Sequence, residues 1–134
     1  MPQSNSRNGG PPISGITLPI LHSWLFEAQS ALRVAREEID ALNVFPVPDG
    51  DTGTNLYLTV EAACGALLKP GDDLGQAAQR VGRAAIMGAR GNSGVILSAF
   101  LRDLVAELAN SPENFARALS QGSRGAYKAV ANPL

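Results

Sequence analysis

The chain has 134 residues, eleven basic and twelve acidic side chains and a formal net charge of −1, which removes the basic footprint expected of a nucleic-acid-binding protein. Its single cysteine, Cys64, excludes an internal disulfide and any cysteine-cluster zinc or iron–sulfur site. Apolar residues make up 45% and aromatics only 5%, so one domain with a core of Ala, Leu, Val and Ile is expected.

Residues 1–18 are rich in Ser, Asn, Gly and Pro and lack the charged start and apolar run of a secretory signal. They read as a disordered arm, with the folded domain at 19–134. No stretch approaches ~18 uninterrupted apolar residues, so no membrane span is expected. A reducing, cytoplasmic setting is the expectation.

Pro19 suits the first turn of a helix. From Ile20 to about Leu42, the apolar residues Leu21, Leu25, Ala28, Leu32, Ala35 and Ile39 recur at helical spacing and predict one buried face. Glu37, Glu38 and Asp40 fall on the remaining face. Pro46 and Pro48 forbid helix and stiffen the segment that follows. A second helix is predicted from Thr54 to about Leu68, with Leu56, Val60, Ala63 and Leu67 inward and Lys69-Pro70-Gly71 as its stop. Asp72 or Asp73 would cap a third helix from Leu74 to about Met87, whose Ala77, Ala78, Val81, Ala84 and Ala85 permit close packing. A glycine-rich break at 88–94 precedes a fourth helix, from about Ser93 to Asn110, with Leu97, Leu101, Leu104, Val105 and Leu108 inward. Ser111 at the cap and Pro112 at the first helical position predict a fifth helix from Pro112 to about Val130. No strand pattern appears. The class is all-α, with short connections and antiparallel neighbours.

Two segments carry the chemistry. Asp49 and Asp51 lie two residues apart in a turn before a helix start. Hard oxygen ligands of this kind suit Mg²⁺, which takes one or two carboxylates plus phosphate oxygens. The bland alternative is a solvated Pro-Asp-Gly turn. An EF-hand is excluded: counted from Asp49, its glycine position is Thr54 and its glutamate position is Val60. Thr52, Gly53, Thr54 and Asn55 add hydroxyl, amide and backbone donors at the helix N-terminus, where they suit either capping or phosphate. The second segment is Gly88-Ala89-Arg90-Gly91-Asn92-Ser93-Gly94, a glycine-rich loop opening another helix. It is not a Walker A loop, because no Gly-Lys-Ser/Thr follows, nor a nucleophile elbow, because residue 95 is Val. Arg90 suits either phosphate or a surface ion pair. His22, Trp24, Phe26 and Cys64 read as surface or packing groups, and no residue is assigned as a catalytic nucleophile.

Asn43 to Asn55, NVFPVPDGDTGTN, resembles the metal-binding signature of the DhaL, or DAK2, domains of dihydroxyacetone kinases. Met87 to Ser98 is a second match, and Ala126 to Val130 a weaker third. The resemblance runs from about His22 to Leu134, and the NVFPVP form is most similar to the N-terminal domain of fatty acid kinase subunits. It implies an eight-helix antiparallel barrel with nucleotide at one end, of which this chain supplies about five helices, a C-terminally truncated form. It also implies Mg²⁺ on Asp49 and Asp51, with Asn43 as the nearest counterpart of a further upstream aspartate in relatives. The phosphates of ATP or ADP would lie along Thr52, Gly53, Thr54, Asn55, Asn92, Ser93 and Gly94. The implied reaction is γ-phosphoryl transfer to a fatty acid carboxylate presented by a DegV-type partner. The alternatives are a dihydroxyacetone kinase subunit, or a non-catalytic fragment that binds metal and nucleotide weakly. A partial barrel would leave apolar edges open, to be covered in a homodimer or left poorly ordered.

Overall fold

The computed structural model describes residues 15–42, 50–68 and 71–131. They form five α-helices: α1 (Leu18–Leu42), α2 (Thr52–Gly65), α3 (Leu74–Gly88), α4 (Gly91–Asn110) and α5 (Phe115–Ala131). A 3₁₀ turn, Ala66–Leu68, extends α2. No strand occurs among the described residues, and the all-α expectation holds. Helix α1 packs on α2, α2 on α3 and α4, α3 on α4, and α4 on α5.

The core is built from small and branched aliphatics, as the scarcity of aromatics requires. Leu21 and Leu25 of α1 meet Val60, Ala63 and Cys64 of α2, Ala78, Val81 and Ala85 of α3, Leu101, Val105 and Leu108 of α4, and Ala118 of α5. Small residues at the contacts let the helices approach closely. A Cβ at Gly122 of α5 would stand 2.9 Å from the Phe100 ring of α4, and one at Gly125 would run into the Asp103 carboxylate.

Three expectations are corrected. Ala28 is exposed rather than inward, because α2 is the one extensive helical neighbour of α1 among the described residues and the buried stripe of α1 is narrow. On α2, Leu56 is only half-buried, and the inward face runs through Gly53, Thr59, Val60, Ala63 and Cys64, while Leu67, in the 3₁₀ turn, packs against the core as expected. Helix α5 starts at Phe115, not Pro112. Ser111 closes a turn instead, its carbonyl accepting from the Asn114 N–H at 3.0 Å, and Asn114 caps the helix by accepting from the Arg117 N–H at 3.0 Å. The Pro112 carbonyl instead accepts from the Ile16 N–H, just ahead of α1, at 2.9 Å. Trp24 of α1 meets Phe115 edge to face beside this contact.

Of the two candidate caps for α3, Asp73 takes the role. Its carboxylate accepts from the Gln76 N–H at 2.8 Å, and the Gln76 side chain accepts from the Asp73 N–H at 3.0 Å, a complete capping box. Asp72 turns instead to Arg80, which donates to it twice at 2.9 Å. Three large side chains, Val34, Met87 and Tyr127, are each about four-fifths exposed. No helix among the described residues is long and apolar enough to cross a membrane. Loss of the α3 cap has a defined cost. Asp73→Ala should lower stability by about 1 kcal/mol, read as a lower urea midpoint with an unchanged slope.

Candidate functional site

The site is assembled around the first turn of α2. Gly50 has φ +66°, a left-handed conformation suited to glycine, and it delivers the chain to Asp51, the N-cap of α2. The Asp51 carbonyl accepts the first helical bond, from the Asn55 N–H at 2.9 Å. Its side chain is exposed and makes no capping hydrogen bond. On one side this turn lies directly on α1. A Cβ at Gly53 would stand 2.5 Å from the Arg36 carbonyl oxygen, so only glycine allows the two backbones to meet here.

That approach brings Asp40 of α1 to the helix start. The Thr54 N–H donates to one Asp40 oxygen at 3.0 Å, and the Thr54 hydroxyl donates to the other at 2.7 Å. Arg36 Nε donates to the same hydroxyl at 3.0 Å, which leaves the hydroxyl hydrogen for Asp40. The Arg36 guanidinium also lies 5.4 Å from the centroid of the Tyr57 ring, which steadies it. The Thr54 hydroxyl holds the Asp40 carboxyl below its ordinary value of 3.8; desolvation opposes this, and the Thr54 and Gly53 N–H groups and the Arg36 charge assist it.

On the other side of α2 lies the glycine-rich loop. Thr59 is fully buried; its hydroxyl donates to the Asn55 carbonyl at 2.8 Å and accepts from the Arg90 N–H at 3.3 Å. Gly91, with φ +66°, faces the Asn55 side chain, and a Cβ there would overlap the Asn55 amide nitrogen. A Cβ at Gly94 would stand 2.5 Å from Thr59 Oγ1. The two motifs, far apart in sequence, are thereby stitched together, with the first turns of α2 and α4 side by side.

Of the expected phosphate-site residues, Thr52, Thr54, Asn55 and Ser93 are half-buried, Gly53 and Gly94 are buried, and Asn92 is exposed. Both donors of Thr54 are engaged by Asp40. Of the expected metal ligands, Asp51 stands at the head of this turn, whereas Asp49 and Asn43 lie outside the described residues. No cluster of three or more His, Cys, Asp or Glu occurs among the described residues. A Mg²⁺ ion completed by phosphate oxygens and water needs no such cluster. A groove of about 590 Å³ between α3 and α4 takes none of its lining from residues 50–55 or 88–94, so it lies apart from this arrangement.

Asp40, Arg36 and Thr59 are missing from the sequence-based list. Thr59 carries a readable signal, since a mid-helix threonine at i+4 can bond the i carbonyl. Asp40 carries none, because its partner lies in another helix. The remaining candidates are structural. Cys64 donates its S–H to the Leu25 carbonyl at 3.2 Å, and burial, with the nearby Glu61 charge, pushes the thiol up to about 11, so it is no thiolate at neutral pH. His22 stacks on Phe26, and Tyr127 and Lys128 are exposed.

Two outcomes follow from this geometry. Gly91→Ala meets both a positive φ and the Asn55 amide, and should destabilise the protein by about 1–3 kcal/mol, measured by chemical denaturation. The depressed folded-state pKa of Asp40 means that its ionised form is favoured by folding. Its contribution is present above the ordinary value of 3.8 and is lost as pH falls below that through the folded value. Asp40→Asn should therefore be less stable than wild type at pH 7, and the gap between the two should narrow as pH falls below 3.8.

Comparison with known proteins places these motifs in a family. Residues 46–134 match the DAK2 domain. The chain is 45% identical over 101 residues to protein YloV of Bacillus subtilis (strain 168), a match covering 72% of this chain and 18% of that protein. It is 35% identical over 127 residues to the protein SERP0792 of Staphylococcus epidermidis, covering 91% of this chain and 23% of that protein. The protein SAUSA300_1119 of Staphylococcus aureus (strain USA300) is 35% identical over 130 residues, with 91% and 23% covered. The chain thus spans about a fifth of the length of these relatives. It belongs to the DAK2 domain family, whose members are nucleotide-binding domains of kinase type.

Proposed function

We propose that this chain is the Mg²⁺·ATP-binding part of a phosphotransferase, with the triphosphate lying across the paired starts of α2 and α4. The observation that carries the reading is the contact of Asn55 with Gly91 and of Thr59 with Gly94, which joins two glycine-containing helix starts. Paired helix N-termini present backbone N–H groups and positive dipole ends to one anion. Thr52, Gly53, Asn55, Asn92, Ser93 and Gly94 would line the phosphates, and Thr54 would fix the turn. Asp51, with Asp49 two residues before it, would hold Mg²⁺; when bound, the ion neutralises charge on the β- and γ-phosphates. The chain's own residues bind and orient. Phosphoryl transfer needs alignment and charge neutralisation, not a protein nucleophile.

The acceptor is proposed on the resemblance of Asn43–Asn55 to fatty acid kinase subunits. It is a fatty acid carboxylate held by a DegV-type partner, giving an acyl phosphate when its oxygen displaces ADP from the γ-phosphorus. This activity is proposed for a whole protein of which the chain is the nucleotide-binding part. Dihydroxyacetone as acceptor is the sister reading, and the NVFPVP form favours the fatty acid.

The reading is tested by thermal unfolding with ATP. With Mg²⁺ and ATP at ~100 times the dissociation constant, wild type should gain ~2.7 kcal/mol. Asp51→Ala should lose that gain while its far-ultraviolet circular dichroism stays unchanged. An equal gain without Mg²⁺, or no gain in wild type, contradicts the proposal.

A further inference from the structure

We propose that Asp40 is a positioning residue for Asp51: it caps α2 from the neighbouring helix and so leaves the Asp51 carboxylate free to bind a divalent cation. The inference rests on the Mg²⁺·nucleotide reading given above and extends it to a residue outside both motifs.

An aspartate at the N-cap ordinarily turns its carboxylate back onto the N–H groups of the second and third helical residues. The same chain contains that ordinary case. Asp73, with φ −85° and ψ 177°, accepts from the Gln76 N–H and completes a capping box. Asp51 holds the equivalent position on α2 but has φ −124° and ψ 8°, and its side chain bonds nothing in the helix. The difference has a visible cause. The N–H of Thr54, the third residue of α2, already donates to Asp40 at 3.0 Å. The hydroxyl of the same residue reinforces the bond at 2.7 Å.

The arrangement is held from three directions. Gly53 admits the Arg36 carbonyl against the backbone, which sets the distance between α1 and α2. Arg36 donates to Thr54 Oγ1 at 3.0 Å and so orients the hydroxyl hydrogen toward Asp40. Tyr57 lies beneath the guanidinium. Two carboxylates thereby divide two tasks. Asp40 satisfies the helix start, and Asp51, exposed at its head, retains its oxygens for the cation. With Asp40 removed, the vacated N–H of Thr54 offers Asp51 the ordinary capping bond, in competition with the metal.

The test is titration of Mg²⁺ at fixed ADP in wild type, Asp40→Ala and Thr54→Val, beside ADP titration in EDTA. Groups that orient a ligand without touching the metal typically contribute 10–100-fold to metal affinity. Asp40→Ala should therefore weaken Mg²⁺ about tenfold, with a much smaller change in Mg²⁺-free ADP binding. Thr54→Val keeps the N–H bond and nearly the same volume, so it keeps the test open if Asp40→Ala does not fold; its Mg²⁺ affinity should fall by a smaller factor. A crystal structure of Asp40→Ala should show the Asp51 carboxylate turned onto the Thr54 N–H. Folded variants with wild-type Mg²⁺ affinity, while wild type binds Mg²⁺·ADP, overturn the positioning role alone. Failure of wild type to bind Mg²⁺·ADP overturns the nucleotide reading and the positioning role with it.

Discussion

The first turn of α2 touches neighbouring segments on two sides, and everything proposed for the site depends on those contacts. On one side Gly53 lies against the Arg36 carbonyl of α1. On the other, Asn55 and Thr59 meet Gly91 and Gly94 of the second loop. A side chain larger than hydrogen at Gly53, Gly91 or Gly94 would separate segments that must stay together. Close packing of this kind has little freedom to relax. The glycines therefore set the distance between the two helix starts before any ligand is considered.

The polar groups then fix orientation. Thr59, fully buried, bonds both the Asn55 carbonyl and the Arg90 N–H, so a single hydroxyl joins the two loops. Asp40 and Arg36 hold Thr54 from the α1 side. Leaving such groups without partners would cost free energy, which favours one register over neighbouring ones. The result is a junction of helix starts with the exposed carboxylate of Asp51 at its head. Cys64 and His22 stay outside this chemistry, the first because it is buried and bonded to a carbonyl, the second because it stacks on Phe26.

Much of the fold was readable in the residues because local signals agreed. Helix α3 combines Asp73, Gln76 and a stripe of small residues, and its start and face match the pattern. Pro and Gly mark the breaks before α2 and α4. The start of α5 was misread because Ser111-Pro112 satisfies the rules for a helix opening, while the Pro112 carbonyl is engaged by Ile16 and Asn114 makes the better cap. Ala28 fits the helical period, but periodicity does not report where a neighbouring helix ends. The glycine-bearing segments were legible as two separate candidate loops. Their contact was not, since it depends on how α2 and α4 pack. Asp40 falls off the apolar stripe of α1, and nothing in its sequence neighbours points to Thr54, which reaches it only through the packing of α1 on α2.

Membership of the DAK2 family, matched over residues 46–134, makes this a nucleotide-binding domain of kinase type, and the joined helix starts support the proposed place of the phosphates. A glycine-set junction flanked by a free carboxylate is suited to hold a nucleotide through its phosphates and a hard cation. The most direct measurement is a crystal structure of the chain with Mg²⁺ and a non-hydrolysable ATP analogue. The account predicts phosphate density between the first turns of α2 and α4, with Asp51 on the ion. Nucleotide bound elsewhere, with Asp51 turned away from any cation, would contradict it.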